Sequence, residues 1–194
     1  MKVIGLTGVI GCGKSTVAGM LERMGVALID ADALVAGIRD SDPEAGRAIR
    51  ERFGTLDRSA LAATVFGDPA ALADLEAILH PRVRDAVEAR LTELARSRTE
   101  AASVEAIKLV GSPLEARCDQ IWVVRCQLGD AIERLARSRG MSEREVRARL
   151  AAQMPQDELL ARADVVIDNR GSLEATRQQV SAALAALLSG TPGS

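Results

Sequence analysis

Tyrosine is missing altogether and other rings are scarce: two Phe, one Trp and one His in 194 residues. Lysine is nearly as rare, since only Lys2, Lys14 and Lys108 are lysines among 25 basic residues, which leaves 22 arginines. A nucleic-acid groove needs stacking rings over a basic floor, and a net charge of −2 with 2% aromatics argues against one. Long apolar runs are lacking too: none approaches the ~20 residues of a membrane span. The three cysteines, Cys12, Cys118 and Cys126, are odd in number and lack metal-ligand spacing. With one His to help, they argue against a zinc site and fit thiols kept reduced in the cytoplasm. The first five residues run straight into patterned text without a small-residue cleavage site, so no secretory leader is expected. What is present is 47% apolar and 27% charged sequence with the two signs nearly balanced, the composition of a globular chain. At this length one domain with a subdomain insertion is expected.

Short apolar runs alternate with helical stretches, the pattern of an α/β fold with a parallel sheet. Strands are expected at residues 3–6, 26–29, 103–107, 121–124 and 165–167. Val17, Leu21 and Met24 recur at helical spacing after the first strand, and Gly25 stops that helix. Residues 40–99 hold no convincing strand and read as an all-helical insertion. It starts with a turn at Asp40-Ser41-Asp42-Pro43, and Pro81 separates two helices within it. Ser142-x-x-Glu145 is a capping box, and the final helix starts near Ser172. Residues 191–194 read as a frayed tail.

Gly8-Val9-Ile10-Gly11-Cys12-Gly13-Lys14-Ser15 fits G-x-x-x-x-G-K-[ST], after a strand and before a helix, the context of a phosphate-binding P-loop. Glycines let backbone N–H groups turn inward around phosphate oxygens, and the helix N-terminus adds partial positive charge. Lys14 then reaches the β- and γ-phosphates of ATP, and the Ser15 hydroxyl takes a position on Mg2+. Asp30 and Asp32 lie just past the second strand, at the carboxyl end where open α/β sheets bind ligands. A carboxylate there can take a proton from an attacking hydroxyl or hold a metal-bound water. Asp30 has a second reading, as the N-cap of a helix over 31–38.

Residues 5–18, from Gly5-Leu6-Thr7-Gly8 to Ser15-Thr16-Val17-Ala18, followed by Ile29-Asp30-Ala31-Asp32, resemble the dephospho-CoA kinase family. His80-Pro81-x-Val83-Arg84 is similar to the acceptor-side motif of that family. Ala151-Ala152-Gln153-Met154 and Ala163-Asp164-Val165-Val166-Ile167-Asp168-Asn169-x-Gly171-Ser172 are similar to its C-terminal third. The resemblance implies a P-loop nucleoside-triphosphate hydrolase-like three-layer fold with a five-stranded parallel sheet. The core would be 1–39 and 100–194, the helical acceptor-binding insertion 40–99 and an arginine-rich lid about 134–157. It further implies ATP-dependent phosphorylation of the ribose 3′-hydroxyl of dephospho-CoA, with Mg2+ and these two small molecules as the partners, in the cytoplasm. By position Asp32 and Lys14 are catalytic. ATP would meet Gly11, Cys12, Gly13, Lys14, Ser15, Thr16, Arg134, Arg149 and Asn169, the last at the adenine, and the acceptor would meet Asp32, His80, Arg82 and Arg84. The alternative is another small P-loop kinase for a nucleotide or metabolite, against which His80-Pro81-x-Val83-Arg84 discriminates.

Two segments depart from the family pattern. After the third strand an Asp and a proline–leucine–leucine stretch are replaced by residues 104–111, where Glu105 could hold a magnesium-bound water. Lys108 there either faces phosphates or snorkels outward. In the lid, Ser138 and Arg139 stand where the family has Arg-Asp, with Arg134 and Arg137 upstream. Arg149 and Gln153, four apart, share a helix face and are candidate lid contacts. Cys12 has two readings: a thiol of lowered pKa that alkylation modifies and ATP protects, or a small residue in a tight turn. Cys118 and Cys126 read as strand-end packing residues.

Overall fold

The structure, a computed structural model, describes residues 1–190; the expected frayed tail lies outside them. Five strands form one sheet in the order β2-β3-β1-β4-β5: β1 (Lys2–Thr7), β2 (Ala27–Asp30), β3 (Ala101–Glu105), β4 (Gln120–Arg125) and β5 (Val165–Asp168). β1 pairs in parallel with β3 and β4, and β4 with β5. Ile4, Leu6, Val104, Val123 and Val124 are fully buried, as near-continuous apolar strands in a covered parallel sheet must be. The third strand sits two residues earlier than its apolar text suggests, because Ala101-Ala102-Ser103 pairs with β1 while Ile107 and Lys108 fall in the following loop.

The chain divides into two compact units, one of Met1–Ile29 with the chain from Thr92 onward, the other Asp30–Leu91. In the first, α1 (Lys14–Arg23) leaves β1 and packs on α9 (Leu173–Ser189), and α9 packs on β5. Between β4 and β5 come α6 (Leu128–Arg139), α7 (Glu143–Ala151) and α8 (Gln156–Ala161), the last against β4. The connection from β1 to β2 runs across the sheet one way and that from β4 to β5 the other. Right-handed crossovers therefore put α1 and α6–α8 on opposite faces, giving three layers. Ser142 and Glu145 cap α7 reciprocally, and Ser172 caps α9 through the Ala175 N–H.

The second unit is helical: α2 (Ala31–Ser41), α3 (Pro43–Phe53), α4 (Arg58–Phe66) and most of α5 (Pro69–Arg96). Ala45, Ile49, Leu61 and Leu79 form its core, with Val35, Ile38, Leu75 and Ile78 packed around them. Two expectations fail here. The Asp40–Pro43 segment is no open turn: Asp42 alone joins two helices, closing α2 and accepting the Glu44 and Ala45 N–H groups at the start of α3. Nor does Pro81 separate two helices, since α5 runs through it. An interior proline costs about 3 kcal/mol. Leu75, Leu79, Val83 and Val87 continue one apolar stripe across it, and burying each such side chain contributes about 1.5–3 kcal/mol. Beside the interruption, Arg82 Nη1 donates to the Ile78 carbonyl at 2.8 Å.

Candidate active site

β1 lies in the middle of the sheet, so the loop that leaves it emerges at the carboxyl edge between β3 and β4. Gly8 turns the chain at φ 148°, where a Cβ would press on the Val124 carbonyl of β4. Gly13, the N-cap of α1, has φ 94°, and a Cβ there would meet the Asn169 amide. Both positions exclude a side chain by conformation and by contact. Lys14 opens α1 and is only 8% exposed, with its ammonium donating to the Gly8 carbonyl at 3.2 Å. Ser15 is exposed beside it at the helix N-terminus.

Side chains from three other segments hold this loop. Arg134 of α6 donates from Nη1 to the Gly11 carbonyl at 2.7 Å. Asn169, just past β5, donates from Nδ2 to the Cys12 carbonyl at 2.8 Å. Gln153 accepts the Ile10 N–H at 2.9 Å. Ile10 itself is buried with Leu135 and Val146, flanked by Ile132, Met141 and Leu150, so α6 and α7 sit on the phosphate loop through an apolar contact as well. The carbonyls of Gly8, Gly11 and Cys12 are thus engaged by Lys14, Arg134 and Asn169, while the Cys12 N–H donates to the Val9 carbonyl at 3.2 Å. The Gly13 N–H, trans to the Cys12 carbonyl, faces away from Asn169, as a donor to an anion would.

Gln153 does not share a helix face with Arg149, as its spacing suggested. α7 ends at Ala151, and Gln153 turns away beyond it toward Ile10. Arg149 stays exposed on α7, close enough to Glu145 to help hold that carboxyl below its usual range, after the hydrogen bonds from Ser142. Arg137 pairs with Glu133 on its own helix.

The cysteines depart from the reading of three reduced thiols. Cys12 and Cys126 form a disulfide with Cα atoms 5.0 Å apart, 114 residues apart in sequence, and both are buried. Cys126 directly follows β4, the neighbour of β1, so the phosphate loop folds back over it. Cys12 is therefore no thiolate, and Cys126 is more than packing. Cys118 stays a half-buried thiol near the Leu114 carbonyl, its pKa pushed up to about 12 chiefly by burial.

Glu105 ends β3 opposite Leu6 and is half-exposed, and Lys108 is exposed in the loop that follows. At the end of β5, Arg170 and Arg125 hydrogen-bond the Asp168 carboxylate and hold it far below the usual carboxylate range. In the helical unit, Asp30 is the N-cap of α2, accepting the Ala33 N–H at 2.8 Å, while Asp32 is exposed in the first turn. His80 and Arg84 are exposed four residues apart on one face of α5. Arg82, half-buried on the same helix, pairs with Asp42 at 3.3 Å and Glu44 at 3.5 Å. Gln153 stood in a segment the sequence singled out. Thr176, buried in α9 against Asn169, carried no local signal.

Among the described residues no three His, Cys, Asp or Glu side chains gather as a metal cage, and no helix is long and apolar enough to cross a membrane. A magnesium ion carried on phosphates asks the protein for only one or two hard oxygens. The exposed Ser15 hydroxyl at the loop is such a donor.

The family model described as dephospho-CoA kinase matches residues 2–175. A dephospho-CoA kinase from Geobacter sulfurreducens is 41% identical over 188 residues, which cover 93% of this chain and 95% of the relative. One from Geobacter metallireducens is 44% identical over 188 residues, covering 93% and 94%. Among solved structures, a protein from Thermus thermophilus superposes with a TM-score of 0.81 at 40% identity, covering 95% of this chain and 96% of that one. A shikimate kinase from Bacteroides thetaiotaomicron, at TM-score 0.55 and 16% identity over 95% of this chain and 98% of its own, shares the fold.

Proposed function

The chain belongs to the dephospho-CoA kinase family, and from that membership we propose that it transfers the γ-phosphoryl group of ATP to the ribose 3′-hydroxyl of dephospho-CoA. The products are coenzyme A and ADP, in the last step of coenzyme A synthesis. The observation that carries the reading is the phosphate loop: a buried Lys14 at the end of a turn whose Gly11 and Cys12 carbonyls are held by Arg134 and Asn169.

Phosphoryl transfer is chiefly positioning and charge neutralisation. The loop residues Gly11, Cys12, Gly13, Lys14, Ser15 and Thr16 line the phosphate site, with the N–H groups of Gly13, Lys14 and Ser15 at the start of α1 as its donors. The Lys14 ammonium follows the charge that builds on the oxygens of the β- and γ-phosphates. Arg134, seated on the loop, and Arg149, on the neighbouring lid helix, supply guanidinium groups for the nucleotide. Ser15, with Glu105 acting through water, would hold Mg2+, whose chemistry is to neutralise phosphate charge. Asp32 orients the 3′-hydroxyl and accepts its proton as the new P–O bond forms and the bond to the β-phosphate oxygen breaks. His80 and Arg84, sharing one face of α5, take the anionic acceptor, while Arg82 supports the helix they stand on. The same reading has ATP and dephospho-CoA as partners in the cytoplasm.

Incubation with Mg-ATP and dephospho-CoA, followed by mass spectrometry for coenzyme A, tests this directly. Coenzyme A formed in step with ADP is the expected result. No coenzyme A above background, with AMP or shikimate phosphorylated instead, would make the protein a different small P-loop kinase.

A further inference from the structure

Thr176 is a fully buried hydroxyl on α9, and the transfer reaction gives it no part. Its oxygen lies 3.0 Å from Asn169 Oδ1 and 3.2 Å from the Ser172 carbonyl. That carbonyl already accepts the Thr176 N–H at 3.0 Å as the first turn of the helix. A hydroxyl has one proton to give, and the Asn169 oxygen is both nearer and less engaged.

We infer that Thr176 is a positioning residue for the phosphate loop, acting through Asn169. With the Asn169 oxygen fixed toward Thr176, the amide has one orientation left, Nδ2 toward the Cys12 carbonyl, where it sits at 2.8 Å. The flipped amide would set oxygen against oxygen there. Holding the Cys12 carbonyl fixes the plane of the Cys12–Gly13 peptide, and in a trans peptide the Gly13 N–H then points to the side away from Asn169, free to meet a phosphate oxygen. The missing side chain at Gly13 belongs to the same device, since a Cβ would collide with Nδ2. Asn169 is anchored in turn by its backbone N–H, which donates to the Arg125 carbonyl at 2.9 Å. A hydroxyl behind the loop thereby sets the direction of a donor in front of it.

The inference rests on the loop's role as the ATP phosphate site and is tested apart from the acceptor's identity. Thr176→Val keeps the shape and removes the hydroxyl, while Thr176→Ser keeps the hydroxyl. Titration with a fluorescent ADP analogue needs no acceptor, so it stands even if no coenzyme A is made. Losing one neutral hydrogen bond predicts an ADP affinity about 3- to 10-fold weaker for Thr176→Val. KM for ATP should rise alike, KM for dephospho-CoA should hold, and Thr176→Ser should restore both. In an Asn169→Ala background, Thr176→Val should add nothing further. Losses that add in the double variant, equal rises in both KM values, or lower thermal stability with unchanged ADP affinity would each overturn it.

Discussion

The side-chain oxygen of Gln153 accepts the backbone N–H of Ile10 at 2.9 Å, so a residue just beyond α7 holds the phosphate loop across 143 positions of sequence. Ile10 is buried, so its N–H depends on a protein acceptor. Gln153→Leu strands that donor at a cost of about 1–3 kcal/mol, which for a chain of this size lowers Tm by several degrees. KM for ATP should rise with it, because the loop loses its tie to the segment after α7. Gln153→Glu, which keeps an acceptor oxygen, should recover most of both. A Gln153→Leu protein with wild-type Tm and KM would dismiss the tie.

Asp32, the proposed base, is exposed in the first turn of α2, and Asp30 caps that helix. Asp32→Asn should therefore lower kcat by about 10²–10⁴-fold, the usual worth of a positioned general base, with KM for ATP little changed. Loss of kcat and ATP affinity together would mean that Asp32 serves the fold or the metal instead. Asp30→Asn, whose amide oxygen still caps, should leave kcat near wild type.

Pairing of Cys12 with Cys126 has a consequence that a thiol count can read. The unreduced, denatured protein should take up one alkylating label, at Cys118, and the reduced protein three. In the folded state Cys118 should react slowly at pH 8, since burial pushes its pKa up to about 12 and leaves almost no thiolate. Reduction, or Cys126→Ser, removes a cross-link over a long loop and should cost about 2–4 kcal/mol of stability. Three labels without reductant would refute the pairing.

Asp168 links acidity to stability. Its carboxylate is bound first by Arg170 and then by Arg125, so the folded state holds its pKa below that of the unfolded chain. Such a group contributes its full stabilisation above the unfolded pKa of about 4 and loses it as pH falls toward the folded value. The stability gap between wild type and Asp168→Asn in urea unfolding should be constant from pH 7 to 5 and shrink below pH 4. The same gap at pH 3 as at pH 7 would show that the charge is not what matters.

Features that depend on neighbours in sequence could be read before any fold was known. The P-loop is eight consecutive residues, and Asp30, Ser142 and Ser172 cap helices through N–H groups three positions away. Short apolar runs located five strands to within two residues, and contiguous motifs at 5–18, 29–32, 80–84 and 163–172 carried the family resemblance. Misreadings arose where the deciding partner lay far off. Pro81 looks like a break until the apolar stripe on both sides is seen to be buried. The reduced-thiol reading of Cys12 and Cys126 holds until the two are seen to meet across 114 residues.

Sequence by itself thus determined the phosphate loop, the strand–helix alternation and the helix starts, because backbone conformation and hydrogen bonding over three or four residues are set locally. Tertiary structure alone decided how the loop is held: by Arg134, Gln153 and Asn169 from beyond the third strand, by the Cys12–Cys126 disulfide, and by Thr176 behind Asn169. The physical reason is the parallel sheet. It brings the carboxyl ends of β1, β4 and β5 to one edge, so residues more than a hundred positions apart become hydrogen-bonding neighbours that no local pattern announces.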